Sequence, residues 1–500
     1  MTVAVSPALA RVGPRPPQRA GGFAFFILLA VLPPLGLILL LYPPLIAIAI
    51  ALPALLLVPW IWRKPLRGLY LLLGSTLLIE VFPLHFSDSL TDRIPLFLNL
   101  NNANSSAGIS GIPITPAEIL MLTVILIWVF QAVSTRSLVL PKGPLVTAYL
   151  LFAVVLVGAE VHGMLSRGNY LNSLWELRPQ AYGFVAFILA ATLVKDRGDL
   201  RRLVYLFFAT VGIKAALSLF RYFVTLQRKT AGLESIMAHE ESYFFAVFLI
   251  AVAAAVLWYA HRRQLWPLLA LTPLVALALV VNQRRAGDLA AAAALVVVVV
   301  LAIRFNSAVS RERLIFLSFV AALAMSVFLL VFWNHTYGTI GELVRPYRSL
   351  FEPDPRDASS NLYRLAENAN ILVTTRLSPL VGIGFGLPMR VVYPMADISL
   401  IYPLWNIIPH NTLLWIGMRM GAVGNMTFFG LIGMGVLTAT RQLAIRKDPL
   451  LRAVAACAVA AIAAELVQGD LDLQLDSFRN LIFLGALLGV LHRMPHFADE

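Results

Sequence analysis

Leu289-Ala-Ala-Ala-Ala-Ala-Leu-Val-Val-Val-Val-Val300 offers no polar side chain at any of its twelve positions. A helix built from it would be apolar all the way round. Such a helix has no face to turn to water, so it reads as one that crosses lipid. The apolar stretch extends over 287–304, close to the length of about 20 residues that a hydrocarbon core demands. Similar runs recur on both sides of it, from Phe23 to Leu491.

Composition agrees. The chain has 500 residues, 59% hydrophobic and 13% charged, against roughly 45–50% and about 25% for soluble proteins. No stretch long enough for a soluble domain lacks an apolar run, so residues 1–500 are expected to form one integral membrane domain. Candidate spans fall at 21–41, 44–62, 67–83, 116–134, 144–161, 179–195, 201–225, 242–260, 265–282, 287–304, 314–333, 412–440, 450–468 and 478–492. The expected fold is therefore an all-α polytopic bundle of about 12–14 spans. Prolines 33, 34, 43 and 44 interrupt the first pair, and the span at 412–440 is long. Phe23 to Leu41 exceeds the apolar core of a signal peptide, and no small-residue cleavage site follows it.

The net charge of +13 does not mark a nucleic-acid partner. The basic residues sit in short clusters between the runs, as the positive-inside rule produces. With Arg11, Arg15 and Arg19 placed in the cytoplasm, every second loop is basic. These loops hold Arg63, Lys64 and Arg67; Arg136 and Lys142; Lys195 to Arg202; Arg262 and Arg263; Arg304 to Arg313; Arg441 to Arg452; and Arg493. The intervening loops are poor in Lys and Arg. Both termini are thus expected in the cytoplasm, and residues 334–411 form a large external loop. Shorter external segments are expected at 84–115, with an Asn/Ser-rich centre from Asn99 to Ser110, and at 162–178. The single cysteine, Cys457, lies in an apolar run, which excludes an internal disulfide and any cysteine-based metal site.

In the large loop, Ser359 to Arg376 has the period of an amphipathic helix. Leu362, Leu365, Ala369 and Leu372 share one side, and Ser359 or Ser360 is the expected N-cap. Ser378-Pro379 ends the helix, and Gly382, Gly384 and Gly386 suggest a flexible turn.

Four groups of polar residues stand out at the expected outer surface. Arg284 and Arg285, in Asn282-Gln-Arg-Arg-Ala-Gly-Asp288, lie on the side where basic residues are disfavoured. Two guanidiniums at a helix start can grip a phosphate or pyrophosphate, although they could also only snorkel to headgroups. His410 opens the helix after the large loop and titrates near neutral pH, so it can accept a proton or simply hydrogen-bond locally. Arg364 and Arg376 lie on the loop helix, where an ordinary solvated face is the alternative. His239, Glu240 and Glu241 are consecutive and do not share a helix face, so a metal site there would need ligands from elsewhere. Lys214 and Arg221 are placed seven apart in one span. No Gly-rich phosphate loop with lysine, G-x-S-x-G elbow or H-E-x-x-H motif occurs.

Three patterns over roughly residues 240–440 carry a resemblance. They are Asn282-Gln-Arg-Arg-Ala-Gly287; Asn361-Leu-Tyr-Arg364 followed by Ser378-Pro-Leu-Val-Gly-Ile-Gly-Phe-Gly386; and Pro409-His410-Asn411-Thr-Leu-Leu414 with Gly421-Ala-Val-Gly424. In order and spacing they resemble the O-antigen ligase and polymerase superfamily of bacterial membrane glycosyltransferases. The resemblance implies transfer of a glycan from a polyprenyl-pyrophosphate carrier to an acceptor hydroxyl, on the outer face of the bacterial cytoplasmic membrane. It implies a metal-independent, inverting enzyme without a cofactor, whose partners are the lipid-linked donor, a glycan, lipid or protein acceptor and the bilayer. His410 matches the family's catalytic histidine. Arg285, with Arg284 and Arg364, matches its pyrophosphate-binding arginines. Asn411, Arg178, His239 and Glu240 are supporting candidates. Glu240 and Glu241 stand where relatives often have Asn-rich sequence. The competing expectation is a transporter or flippase of lipid-linked saccharide, which would set its charges near the bilayer midplane on broken helices.

Overall fold

The computed structural model describes residues 56–81, 91, 94, 96–98, 114–229, 233, 235–258, 262–306, 311–336, 338–400 and 402–498. The expected span at 21–41, most of that at 44–62 and the Asn/Ser-rich loop centre lie outside them. Among the described residues the chain is all-α, with no strand. After a helical stretch at 56–63 the helices are α1 Leu66–Leu78, α2 Pro116–Ser134, α3 Pro144–Leu165, α4 Tyr170–Leu193, α5 Arg197–Phe220, α6 His239–Trp258 and α7 Arg262–Val281. They continue with α8 Arg285–Phe305, α9 Arg311–Phe332, α10 Gly338–Arg348, α11 Pro355–Thr375, α12 Thr412–Ile445, α13 Pro449–Leu471 and α14 Phe478–Arg493. Eight of them, α2, α3, α5 with its terminal π turn, α6, α8, α9, α12 and α13, are long and apolar enough to cross a membrane. α1 and the Leu265–Val281 part of α7 are shorter apolar helices.

Lipid-facing surface is plain on the outside. Val154, Phe316 and Leu330 are exposed, and along the whole of α9 only Leu314 is buried. In water such a surface would aggregate; in lipid it costs nothing. Inside, small residues bring backbones together. A Cβ on Gly485 of α14 would meet the Gly183 carbonyl oxygen of α4 at 2.0 Å, and one on Gly489 would meet that of Phe187 at 2.5 Å. Close backbone packing of this kind holds helices together where no hydrophobic force acts between them.

The segments sort into two ends. At one end Lys64 pairs with Asp199 at 2.9 Å, Arg197 with Asp448 at 2.8 Å, and Arg446 donates to the Met494 carbonyl at 2.7 Å. At the other, residues 167–176, 235–242, 282–288, 345–411 and 469–477 meet one another through the contacts described below. This division matches the alternation of basic and non-basic loops.

α11 departs from the sequence expectation in two ways. Its N-cap is Asp354, which accepts from the Asp357 N–H at 2.8 Å, with Pro355 in the first turn. Proline has no N–H to waste there, so Asp-Pro starts the helix before the serines, which fall inside it. The apolar stripe also faces outward: Leu362 and Leu365 are 68% and 66% exposed. The polar face, with Asp357, Glu367 and Asn370, is the buried one.

The glycine segment after α11 is not a flexible turn. Gly382, Gly384 and Gly386 take φ of 71°, 84° and 77°, and each is fixed by backbone hydrogen bonds. α12 is one long helix by its ends but breaks at Gly421, with φ 62° and ψ −158°. The break frees helix groups that the segment then satisfies. Ile383 and Gly384 N–H donate to the carbonyls of Met418 and Arg419 at 2.9 and 3.0 Å, while Ala422 and Val423 N–H donate to those of Pro379 and Leu380 at 2.9 and 3.1 Å. On the segment's other side, Phe385 N–H donates to Ala159 of α3 and Asn169 N–H to the Gly386 carbonyl. Glu176 of α4, fully buried, accepts from Gly386 N–H at 2.7 Å and from Trp415 Nε1 at 2.9 Å, and pairs with Arg419 Nε at 2.5 Å. Arg419 donates in turn to the carbonyls of Gly384, Leu387 and Ile407.

Two outcomes follow. In a background with Cys457 replaced by Ala, Pro353→Cys and Lys447→Cys lie at exposed positions on opposite ends. Only Pro353→Cys should react with an impermeant thiol reagent in intact cells, and equal labelling would refute the division into two faces. Gly421 occupies a region of φ/ψ closed to other residues, and a Cβ there would lie 2.3 Å from the Leu380 carbonyl carbon. Gly421→Ala should therefore destabilise the protein by about 1–3 kcal/mol or more, read as a lower melting temperature in detergent.

Candidate functional site

The site lies where the large loop closes over the ends of α6, α8 and α13. Its floor is the turn between α7 and α8. Asn282, fully buried, accepts from Met237 N–H at 2.7 Å and donates to Ser242 Oγ at 2.8 Å. Gly287 lets α8 pack on α6, since a Cβ there would lie 2.4 Å from Ser242 Cβ. The turn is thereby fixed, with Gln283 at φ 59°, and Arg284 becomes the N-cap of α8 with Arg285 its first residue. The two arginines diverge. Arg284 reaches toward Asp472, at the C-cap of α13, with Nη1 3.9 Å from Oδ2. Arg285 reaches the loop, donating to Ser349 Oγ and Asn361 Oδ1 at 3.3 Å each and lying 3.6 Å from Asp357.

α11 supplies the wall. Its buried polar face presents Asn361, Arg364 and Glu367. Arg364 is half-buried and has no hydrogen bond or ion pair among the described residues. Its charge is felt by Arg285, His410 and Asp472 alike, so these four groups form one electrostatic cluster. Glu367, 1% exposed, accepts from the His410 backbone N–H at 3.0 Å and lies 3.1 and 3.2 Å from His410 Nδ1 through its two oxygens. The Tyr363 ring packs edge-on against the imidazole, with centroids 5.8 Å apart. Its hydroxyl is buried and lacks a partner among the described residues.

His410 owes its position to α12 as well. Asn411 is the N-cap, accepting from Leu414 N–H at 3.0 Å and donating to Asp470 at 3.0 Å, and Thr412 Oγ1 donates to the Gly469 carbonyl at 2.7 Å. These bonds staple the start of α12 to the last turn of α13. The same turn brings Asp472 to His239 Nδ1 at 3.2 Å. Burial alone would raise the Asp472 carboxyl, but His239, Arg284 and Arg364 hold it well below the usual range. Burial would likewise lower the His410 imidazole. Glu367, helped by Asp472 and opposed by Arg364, instead raises it above 6.5.

Of the residues singled out from sequence, the structure gathers Arg284, Arg285, Arg364, His410, Asn411 and His239 in this cluster. Glu240 lies beside it, accepting from Ser477 Oγ at 3.0 Å. Arg178 is not brought there: it is buried on α4 and pairs with Glu118, the capping residue of α2, at 3.1 Å. Glu367, Asp357 and Asp472 were not singled out. Glu367 had a local signal, since it falls on the same face of α11 as Arg364, one turn on. Asp472 had none, because its partners are far away in the chain. Among the described residues no group of three or more His, Cys, Asp or Glu side chains converges as a metal site.

The sign of the histidine shift fixes a pH dependence. A folded-state pKa above the ordinary value means that the His410–Glu367 pair stabilises fully below about pH 6.5, and that this contribution is lost as pH rises through the folded pKa. The melting-temperature advantage of the native protein over His410→Asn should therefore shrink as pH rises above about 6.5 and through the folded pKa; an unchanged gap would contradict the raised pKa.

Residues 271–429 match the family model of the O-antigen ligases. The matched stretch runs from α7 through the arginine turn, the large loop and the glycine segment into α12, and contains all three patterns on which the resemblance rests. A search of curated proteins returns no match.

Proposed function

We propose, with an O-antigen ligase domain at residues 271–429 as the premise, that this membrane protein is a glycosyltransferase. It moves a glycan from a polyprenyl-pyrophosphate carrier to an acceptor hydroxyl at the outer face of the bacterial cytoplasmic membrane, with both termini in the cytoplasm. The observation that carries this reading is the link that Arg364 makes between the arginine turn and the histidine: its charge acts on Arg285, His410 and Asp472, and Asp472 faces Arg284. Among the described residues Arg364 has no ion-pair partner and is half-buried, which suits it to a bound anion. A pyrophosphate leaving group gains negative charge as its bond to the sugar breaks, and fixed guanidiniums stabilise that charge without reorganising. Arginine suits the task because its fork meets phosphate oxygens in pairs.

The acceptor hydroxyl needs a base. Asp472 is a poor one, since cations hold it ionised and weakly basic. His410 is tied at Nδ1 and presents its other ring nitrogen. Attack of the acceptor oxygen on the anomeric carbon, with pyrophosphate leaving from the opposite side, inverts that centre in one step. The reading as a transporter finds less support. The fully buried ions Glu80, Lys214, Glu241 and Arg479 form a single network, with Arg479 2.7 Å and Lys214 3.4 Å from Glu241. They join the site end of α1, α6 and α14 to α5, and Arg479 further clamps the Thr76 and Leu77 carbonyls. Every charge in it has a partner, as a structural clamp requires and a transport site does not.

In a cell-free assay with a polyprenyl-pyrophosphate glycan donor, His410→Ala should lower turnover by about two to four orders of magnitude. Photocrosslinking of the donor on the same membranes should be spared. Arg285→Lys and Arg364→Lys should lower both transfer and crosslinking, because lysine cannot reproduce the fork. Absence of transfer by the native protein to every acceptor class offered, or full activity in both lysine variants, would sink the proposal.

A further inference from the structure

We infer that Glu367 is the positioning residue that makes His410 a base at its Nε2 atom, by holding the proton of the ring on Nδ1 and keeping the imidazole aimed into the arginine cluster. The inference rests on the reading of the protein as a glycosyltransferase and adds to it a residue that neither the sequence patterns nor the family match assigns.

The geometry is specific. One carboxylate oxygen accepts the His410 backbone N–H at 3.0 Å, and the two oxygens stand 3.1 and 3.2 Å from Nδ1. An ionised carboxylate can only accept, so the nitrogen facing it must donate. Nδ1 therefore carries the ring proton in the neutral histidine, and the lone pair lies on Nε2. The backbone contact matters as much as the ring contact. It fixes the carboxylate against the same residue whose ring it orients, so the imidazole cannot turn without breaking both. Tyr363, edge-on at 5.8 Å, closes one side of the ring. Glu367 is itself buried, and Asn370, one turn further along α11, anchors the helix by accepting from the Val392 and Tyr393 N–H groups at 2.8 Å each.

The acceptor O–H gives its proton to Nε2 while its oxygen forms the bond to the anomeric carbon. The bond from that carbon to the phosphate oxygen breaks, and its electron pair leaves on the pyrophosphate. The resulting imidazolium stands against the Glu367 carboxylate, which stabilises it and does not take the proton. The charges that face the ring are Glu367 and Arg364 from α11 and Asp472 from the turn after α13. Of these only Glu367 makes contact, so its removal should shift the ring most.

Glu367→Gln is the informative change. The His410 backbone N–H still needs an acceptor, and the amide oxygen meets it. The amide nitrogen then faces Nδ1 and donates to it, which moves the ring proton to Nε2 and blocks the base. Turnover should fall on the order of 10²-fold, at the lower end of what a general base contributes, with donor crosslinking unchanged. The acid limb of the pH–rate profile should move to lower pH, because the carboxylate that favours the imidazolium is gone. Glu367→Asp keeps the charge and should hold the limb in place with intermediate turnover. Native turnover and an unmoved limb in Glu367→Gln, while His410→Ala is inactive, would overturn this inference and leave the base assignment intact. Full activity in His410→Ala would remove the base assignment first. Equal loss of turnover and crosslinking in both Glu367 variants would show a folding role and overturn the inference as well.

Discussion

The exchange of backbone hydrogen bonds between the glycine segment and the broken helix α12 sets the position of everything at the site end. A helix interrupted in apolar surroundings leaves N–H and C=O groups that those surroundings cannot satisfy, so some other backbone must reach them. Here the chain from Pro379 to Gly386 does so on one side and ties to α3 on the other. Glu176 and Arg419 lock the arrangement from beneath, with neither exposed. A buried pair of this kind gives little net stability, but removing one partner strands a charge at a cost of about 3–5 kcal/mol. Its value is one of register. It fixes where the loop leaves α11 and where α12 begins, and so the distance over which Glu367 and His410 face each other.

The site is built from both sides of that joint. α11 brings the carboxylate and one arginine, the α7–α8 turn brings two arginines, and the start of α12 brings the histidine, stapled by Asn411 and Thr412 to the last turn of α13. The charges are graded. Arg285 is shared among Ser349, Asn361 and Asp357, Arg284 leans on Asp472, and Arg364 has no such tie among the described residues. An anion entering the cluster would meet the least committed cation first.

Much of this was legible in the sequence because it depends on local spacing. The apolar runs gave the helices, the basic clusters gave the two ends, Arg284 and Arg285 stood out as basic residues on the side where these are disfavoured, and the family resemblance singled out Arg364 and His410. What escaped depends on contacts between distant segments. Asp472 and Glu176 look like ordinary loop and helix-end acids until the fold brings Arg284 and Arg419 to them. The direction of α11 escaped for a related reason. Period alone marks an apolar face but not whether protein or lipid covers it, and in a membrane protein the outward face is free to be the apolar one. The start of that helix was misplaced because Asp354-Pro355 outranks the serines that follow. The glycines looked flexible because their φ freedom is visible in sequence and the bonds that use it are not.

The helix that leads into the large loop has a different kind of anchor from the helix that leaves it. α12 is wedged among α3, α13 and the glycine segment, whereas α9 offers a single buried residue along its length. The loop therefore hangs from the protein at its downstream end and from the surrounding lipid at its upstream end. Bilayer thickness and lateral pressure act on the second attachment and not on the first. A thicker or thinner membrane would tilt or lift α9 and draw α10 with it, while the histidine, its glutamate and α12 stayed where the protein holds them.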